Sequence, residues 1–71
     1  MSQKKIQVFI NGKKKALKEN KSLSDLLKNL AIVKNGIAIE INSTVIPKSQ
    51  YQNTLIKNND NIEIVQFIGG G

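Results

Sequence analysis

The chain has 71 residues, a net charge of +6, and no Cys, His or Trp. One small domain is expected at this length, burying roughly 60% of the surface that its unfolded chain exposes. Without Cys there is no disulfide, thiolate nucleophile or Cys-type zinc site. Without His there is no imidazole ligand and no Ser-His-Asp or Cys-His catalysis.

The five carboxylate side chains, Glu19, Asp25, Glu40, Asp60 and Glu63, are scattered, and none is spaced for paired acid/base work. No catalytic residue, metal site or bound cofactor is therefore assigned, and a carrier, binding module or subunit is expected rather than an enzyme. All eleven basic residues are Lys, which lacks the planar fork of Arg. The only triplet is Lys13–Lys15, and the aromatics are Phe9, Tyr51 and Phe67. That is too little stacking for a nucleic-acid partner, so the lysines read as a solvated, acid-seeking surface. No apolar run approaches the roughly 18 residues of a membrane span. Met1–Lys5 lacks the apolar stretch of a signal peptide, so neither membrane nor secretion is expected.

Along the chain, Ile6, Val8 and Ile10 alternate with Gln7 and Phe9, which is strand periodicity. Asn11-Gly12 then predicts a tight hairpin, with a return strand over Lys13–Leu17. Ser22 reads as a helix N-cap, with Asp25 three residues on as a short capping-box acid. Leu23, Leu26, Leu27 and Leu30 form one apolar stripe, predicting a helix over Leu23–Ala31 that exits at Asn35-Gly36. Ile37, Ile39 and Ile41 alternate with Ala38, Glu40 and Asn42 in the clearest strand. A turn at Asn42-Ser43 leads to a short strand, Thr44–Ile46, which Pro47 ends. Lys48–Leu55 has no period and reads as a loop with a helical turn. After the turn cluster Asn58–Asn61, Ile62–Ile68 is the last strand. Gly69, Gly70 and Gly71 follow.

The order β-β-α-β-β-β predicts an α+β fold, a mixed sheet covering one helix stripe. The first and last strands are the most apolar and are placed side by side, parallel, at its centre. If Ile62, Ile64 and Ile68 face the helix, Val65 and Phe67 face outward. The other reading of this stretch is an apolar docking patch of Phe67 and Ile68 ahead of the tail, with core packing the alternative for Phe67. The three glycines add no packing and are entropically costly to order. A frayed end is the plain alternative. The other reading is a thin tail able to thread a partner's channel and present a terminal carboxylate for activation.

These residues together resemble the ThiS family of sulfur carriers, within the ubiquitin-like β-grasp superfamily. Ile6–Gly12 looks like the family's first strand and turn, and Ser22–Leu27 like its capped helix. Ala38–Asn42 with Val45–Pro47 and Ser49–Tyr51 is similar to its central region, and Asp60–Gly71 to its closing strand and tail. Lys48 stands where Arg is usual, Tyr51 where Trp is usual, and Asn59 where Gly often stands.

The resemblance implies a β-grasp domain over 1–68, with a four- to five-stranded sheet on one helix, and a flexible tail over 69–71. It implies that a ThiF-like adenylyltransferase, using ATP and magnesium, activates the carboxylate of Gly71, with Gly70 keeping the tail narrow. A cysteine desulfurase or other persulfide donor would supply sulfur, and thiazole synthase (ThiG) would accept it in making the thiazole of thiamin. Phe67, Ile68 and Gly69 would dock the partner. The free chain would be a monomer, in the cytoplasm or, if plastid-encoded, the plastid stroma. A molybdopterin-synthase small subunit and a ubiquitin-like modifier are the alternatives with the same tail chemistry.

Overall fold

The structure is a computed structural model and describes residues 4–33 and 35–67. Its elements are β1 (Lys5–Ile10), β2 (Lys13–Lys18), α1 (Leu23–Asn29), β3 (Ile37–Ile41), β4 (Thr44–Ile46), a 3₁₀ turn (Lys48–Gln50) and β5 (Asn61–Gln66). The five strands form one mixed sheet in the order β2-β1-β5-β3-β4. β1 and β5 are parallel neighbours, as expected, and the other pairings are antiparallel.

Local chemistry accounts for the two hairpins. Asn11 and Gly12 both have positive φ (51° and 83°), as a two-residue turn matching strand twist requires. Asn42 and Ser43 (52° and 72°) do the same between β3 and β4. Asn59, in the turn before β5, sits at φ 71°, a conformation that Asn tolerates better than most residues.

The helix begins as the sequence predicts. The Asp25 amide donates to Ser22 Oγ at 3.1 Å, and the Ser22 amide donates to Asp25 Oδ2 at 3.0 Å. This is a reciprocal capping box. Its end falls short of the predicted Ala31. The amides of Ala31 and Ile32 donate back to the carbonyls of Lys28 and Leu27, closing a Schellman motif. Ala31 takes the left-handed position (φ 58°) where glycine is usual. The chain therefore leaves the helix before Asn35-Gly36 rather than at it.

The core lies between the helix and one sheet face. Val8, Leu17, Ile37, Ile39, Ile41, Ile62 and Ile64 from the strands meet Leu23, Leu26 and Leu27 from the helix. Leu30 is partly buried against them. Tyr51 and Ile56 are also fully in this core, although the segment holding them has no periodicity. It is tied to the helix start: the Leu23 amide donates to the Thr54 carbonyl, and the Ile56 amide to the Lys21 carbonyl, both at 2.8 Å. The loop is thus a lid on one end of the core.

Candidate functional site

β5 carries the chain toward the tail, so the site is built from what holds β5 and from what its free face presents. Two turn asparagines hold it. Backbone bonds join β1 to β5 as far as the Asn11 amide, which donates to the Ile62 carbonyl at 2.8 Å. There β1 turns away. The Asn11 side chain then takes the place of the next peptide unit: Oδ1 accepts from the Ile64 amide at 2.8 Å and Nδ2 donates to the Ile64 carbonyl at 3.2 Å.

On the other side, Asn42 Oδ1 accepts from the Asn61 amide at 2.9 Å. Asn42 Nδ2 donates to Asp60 Oδ1 at 3.0 Å, and Asp60 Oδ2 accepts from the Lys57 amide at 2.8 Å. Asp60 is buried, and these bonds satisfy it. From sequence alone Asn11 and Asn42 read as turn residues. Their grip on β5 depends on partners 53 and 19 positions away.

Along β5, Ile62 and Ile64 face the helix while Glu63 and Val65 face outward. Phe67 continues the outward set; its amide donates to the Gly36 carbonyl at 3.0 Å, so the pairing with the β3 side runs one residue past the strand. Val65 is 56% exposed, Phe67 59% and Val45 63%, which decides the orientation of Phe67: it is not core. Ile68, Gly69, Gly70 and Gly71 lie outside the described residues.

The sheet register adds what spacing did not reveal. Glu40 stands directly opposite Glu63, and its partner on β4 is Val45. The two carboxylates stand on an open sheet face, whereas paired catalytic acids work in clefts that perturb them. A cleft of about 740 Å³ lies elsewhere, between α1 and the loop segments at Ile32–Val33 and Gln52–Leu55. Asp25 on its wall is engaged in the helix cap: the Ser22 amide, then the Ser22 hydroxyl, hold its carboxyl below the ordinary 3.8. Burial pushes the Tyr51 phenol above its ordinary 10.0. Among the described residues no group of three or more His, Cys, Asp or Glu could hold a metal ion. No helix among them is long and apolar enough to cross a membrane.

Comparison with known proteins covers the whole of this architecture. The ThiS family model matches residues 3–71. The chain is 41% identical to the protein ycf40 of Porphyra purpurea, over all of both chains. It is 35% identical to the sulfur carrier protein ThiS of Bacillus subtilis, covering 87% of this chain and 96% of that one. It is 33% identical to a thiazole synthase of Paramagnetospirillum magneticum, over 93% of this chain but only 20% of that protein. Its fold superposes with a TM-score of 0.80 on the crystal structure of the thiamine biosynthesis protein ThiS from Geobacter metallireducens. That match has 26% identity and covers 93% of this chain and all of the other.

Proposed function

The chain belongs to the ThiS family, and on that premise we propose that it is the sulfur carrier for the thiazole of thiamin, acted on by partner enzymes rather than catalysing a reaction itself. The observation that carries this reading is the run of family likeness through β5 to Gly71. It is supported by the curated relative named as a sulfur carrier.

The reactive group is the carboxylate of Gly71. At neutral pH it is an anion and must be activated. One of its oxygens attacks the α-phosphorus of ATP on a ThiF-like adenylyltransferase that uses magnesium, and pyrophosphate leaves. A persulfide sulfur, delivered from a cysteine desulfurase, attacks the acyl carbon and displaces AMP. A thiol then cleaves the acyl disulfide, leaving the thiocarboxylate on Gly71 and a disulfide on the donor side. Thiazole synthase accepts the sulfur. A likeness of this chain to one fifth of a protein named thiazole synthase supports that pairing. Gly70 keeps the tail narrow, and Phe67, Ile68 and Gly69 meet the partner beside its channel. The chain works as a monomer in the cytoplasm or, where plastid-encoded, the stroma.

This chain's own contribution is placement. The two asparagines bond to β5 at Asn61 and Ile64 and so fix its register. Deleting Gly71 tests the reading: the variant is expected to keep the wild-type circular dichroism spectrum and melting temperature and to form no thiocarboxylate. Thiocarboxylate formed at Gly70 in the shortened chain would overturn the assignment of Gly71.

A further inference from the structure

The β2 edge of the sheet is open, and a basic groove runs beside it. β2 is an outer strand, paired with β1 on one side. The Glu19 amide donates to the Lys4 carbonyl at 2.9 Å, which makes these two opposed residues a hydrogen-bonded pair. Such pairs alternate along an antiparallel ladder. In the register of β1 with β2, the peptide groups of Lys14, Ala16 and Lys18 therefore point away from β1. Ala16 is exposed, and among the described residues no backbone bond meets these groups from the free side.

Two clefts, of about 390 and 340 Å³, share Leu17, Lys21 and Asn29 and so join into one groove between this edge and α1. Buried Leu17 and Leu26 form its floor, and Lys5, Lys18, Lys21 and Lys28 stand around it. Among the described lining residues the one carboxylate is Asp25, which the helix cap already engages. Lysines on an edge strand discourage pairing with other chains, and four of the six residues of β2 are Lys. That accounts for the strand but not for Lys21 and Lys28, which lie on the connecting segment and on α1. The other outer strand, β4, has three residues and no lysine.

We propose that the β2 edge is a docking site for an acidic, extended segment of a partner protein, which adds to the sheet as a further strand. The backbone of that segment bonds to the free peptide groups of Lys14, Ala16 and Lys18. Its carboxylates meet Lys14 and Lys18 on the outer face and Lys21 and Lys28 across the groove. Opposite charges facing each other across strands stabilise the pairing and like charges weaken it. A second copy pairing through β2 is therefore repelled, whereas an acidic strand is drawn in. Nucleic acid fits less well, because the chain has no Arg and no aromatic lines the groove for stacking. β1 separates this edge from β5, so the site is distinct from the outer face of β5, and the inference does not depend on the sulfur-carrier reading.

The test uses the full chain and a capped peptide of alternating Glu and Val, six residues long like β2. Binding is followed by NMR titration and amide hydrogen exchange. The peptide is expected to slow exchange at Lys14, Ala16 and Lys18 and to bind more weakly as salt rises. Combining Lys21→Gln with Lys28→Gln is expected to weaken binding about fivefold. Ala16→Pro is expected to abolish it, at an edge position where a missing N–H leaves the ladder to β1 intact. Should that variant not fold, the peptide N-methylated at every residue replaces it, with the wild-type chain. Equal affinity of the methylated peptide would mean charge attraction without strand addition and would overturn the proposal. So would no binding of the Glu-Val peptide, or equal binding of a Lys-Val peptide. An oligothymidylate that protects the same three amides as strongly would overturn the occupant in favour of nucleic acid. Concentration-dependent protection of those amides in the free chain would overturn it in favour of a second copy.

Discussion

Asn11 joins local conformation to long-range placement. Its positive φ makes the hairpin turn, and its amide carries the sheet one step further along β5. Replacing it with Ala leaves the Ile64 amide and carbonyl without those partners, which costs about 1–3 kcal/mol. Urea denaturation of Asn11→Ala should show the midpoint falling accordingly. Asn11→Asp keeps an acceptor for the Ile64 amide and should lose less; equal losses in both would mean that the turn, not the grip on β5, is what matters. The turn itself was legible as Asn-Gly, whereas the grip was not. Apolarity places β5 beside β1, but no local signal sets the register that brings Ile64 to Asn11, 53 positions away. The same holds for Glu40 and Glu63, which look scattered along the chain and become neighbours only through the antiparallel register.

Among the elements, the helix shows most plainly how far periodicity reaches. Leu23, Leu26 and Leu27 are buried at the spacing that predicted them, and Ser22 and Asp25 form the expected cap. The stop was misread because Ala31, which has no turn propensity, adopts the left-handed position, and the Schellman bonds to Leu27 and Lys28 closed the helix early. Lys48–Leu55 reads from sequence as a loop with a helical turn. The turn is there, but Tyr51 is core, and a single buried aromatic leaves no period to read. The cap also makes the helix sensitive to pH. The Asp25 carboxyl is held below 3.8 in the folded chain. Its contribution is therefore present above that value and is lost as pH falls through the lower, folded one. Melting curves taken from neutral pH to below 3.8 should fall more steeply for wild type than for Asp25→Asn; parallel curves would mean the cap adds nothing.

On the scale of the whole molecule, the sheet order places the first and last strands together and leaves one face of β5 exposed. This arrangement was largely legible, since the alternation of Ile62 and Ile64 with Glu63 and Val65 fixes which face is core. Under the proposed function, this exposed face and the carboxylate of Gly71 are what the chain presents to other proteins. The central claim is that this carboxylate receives sulfur. It is tested most directly by intact-mass spectrometry after incubation with ATP, magnesium, a ThiF-like adenylyltransferase and a persulfide donor. The account predicts a gain equal to the difference between one sulfur and one oxygen, located on Gly71 by fragmentation. An unchanged mass, or covalent attachment to lysines of other proteins, would contradict it.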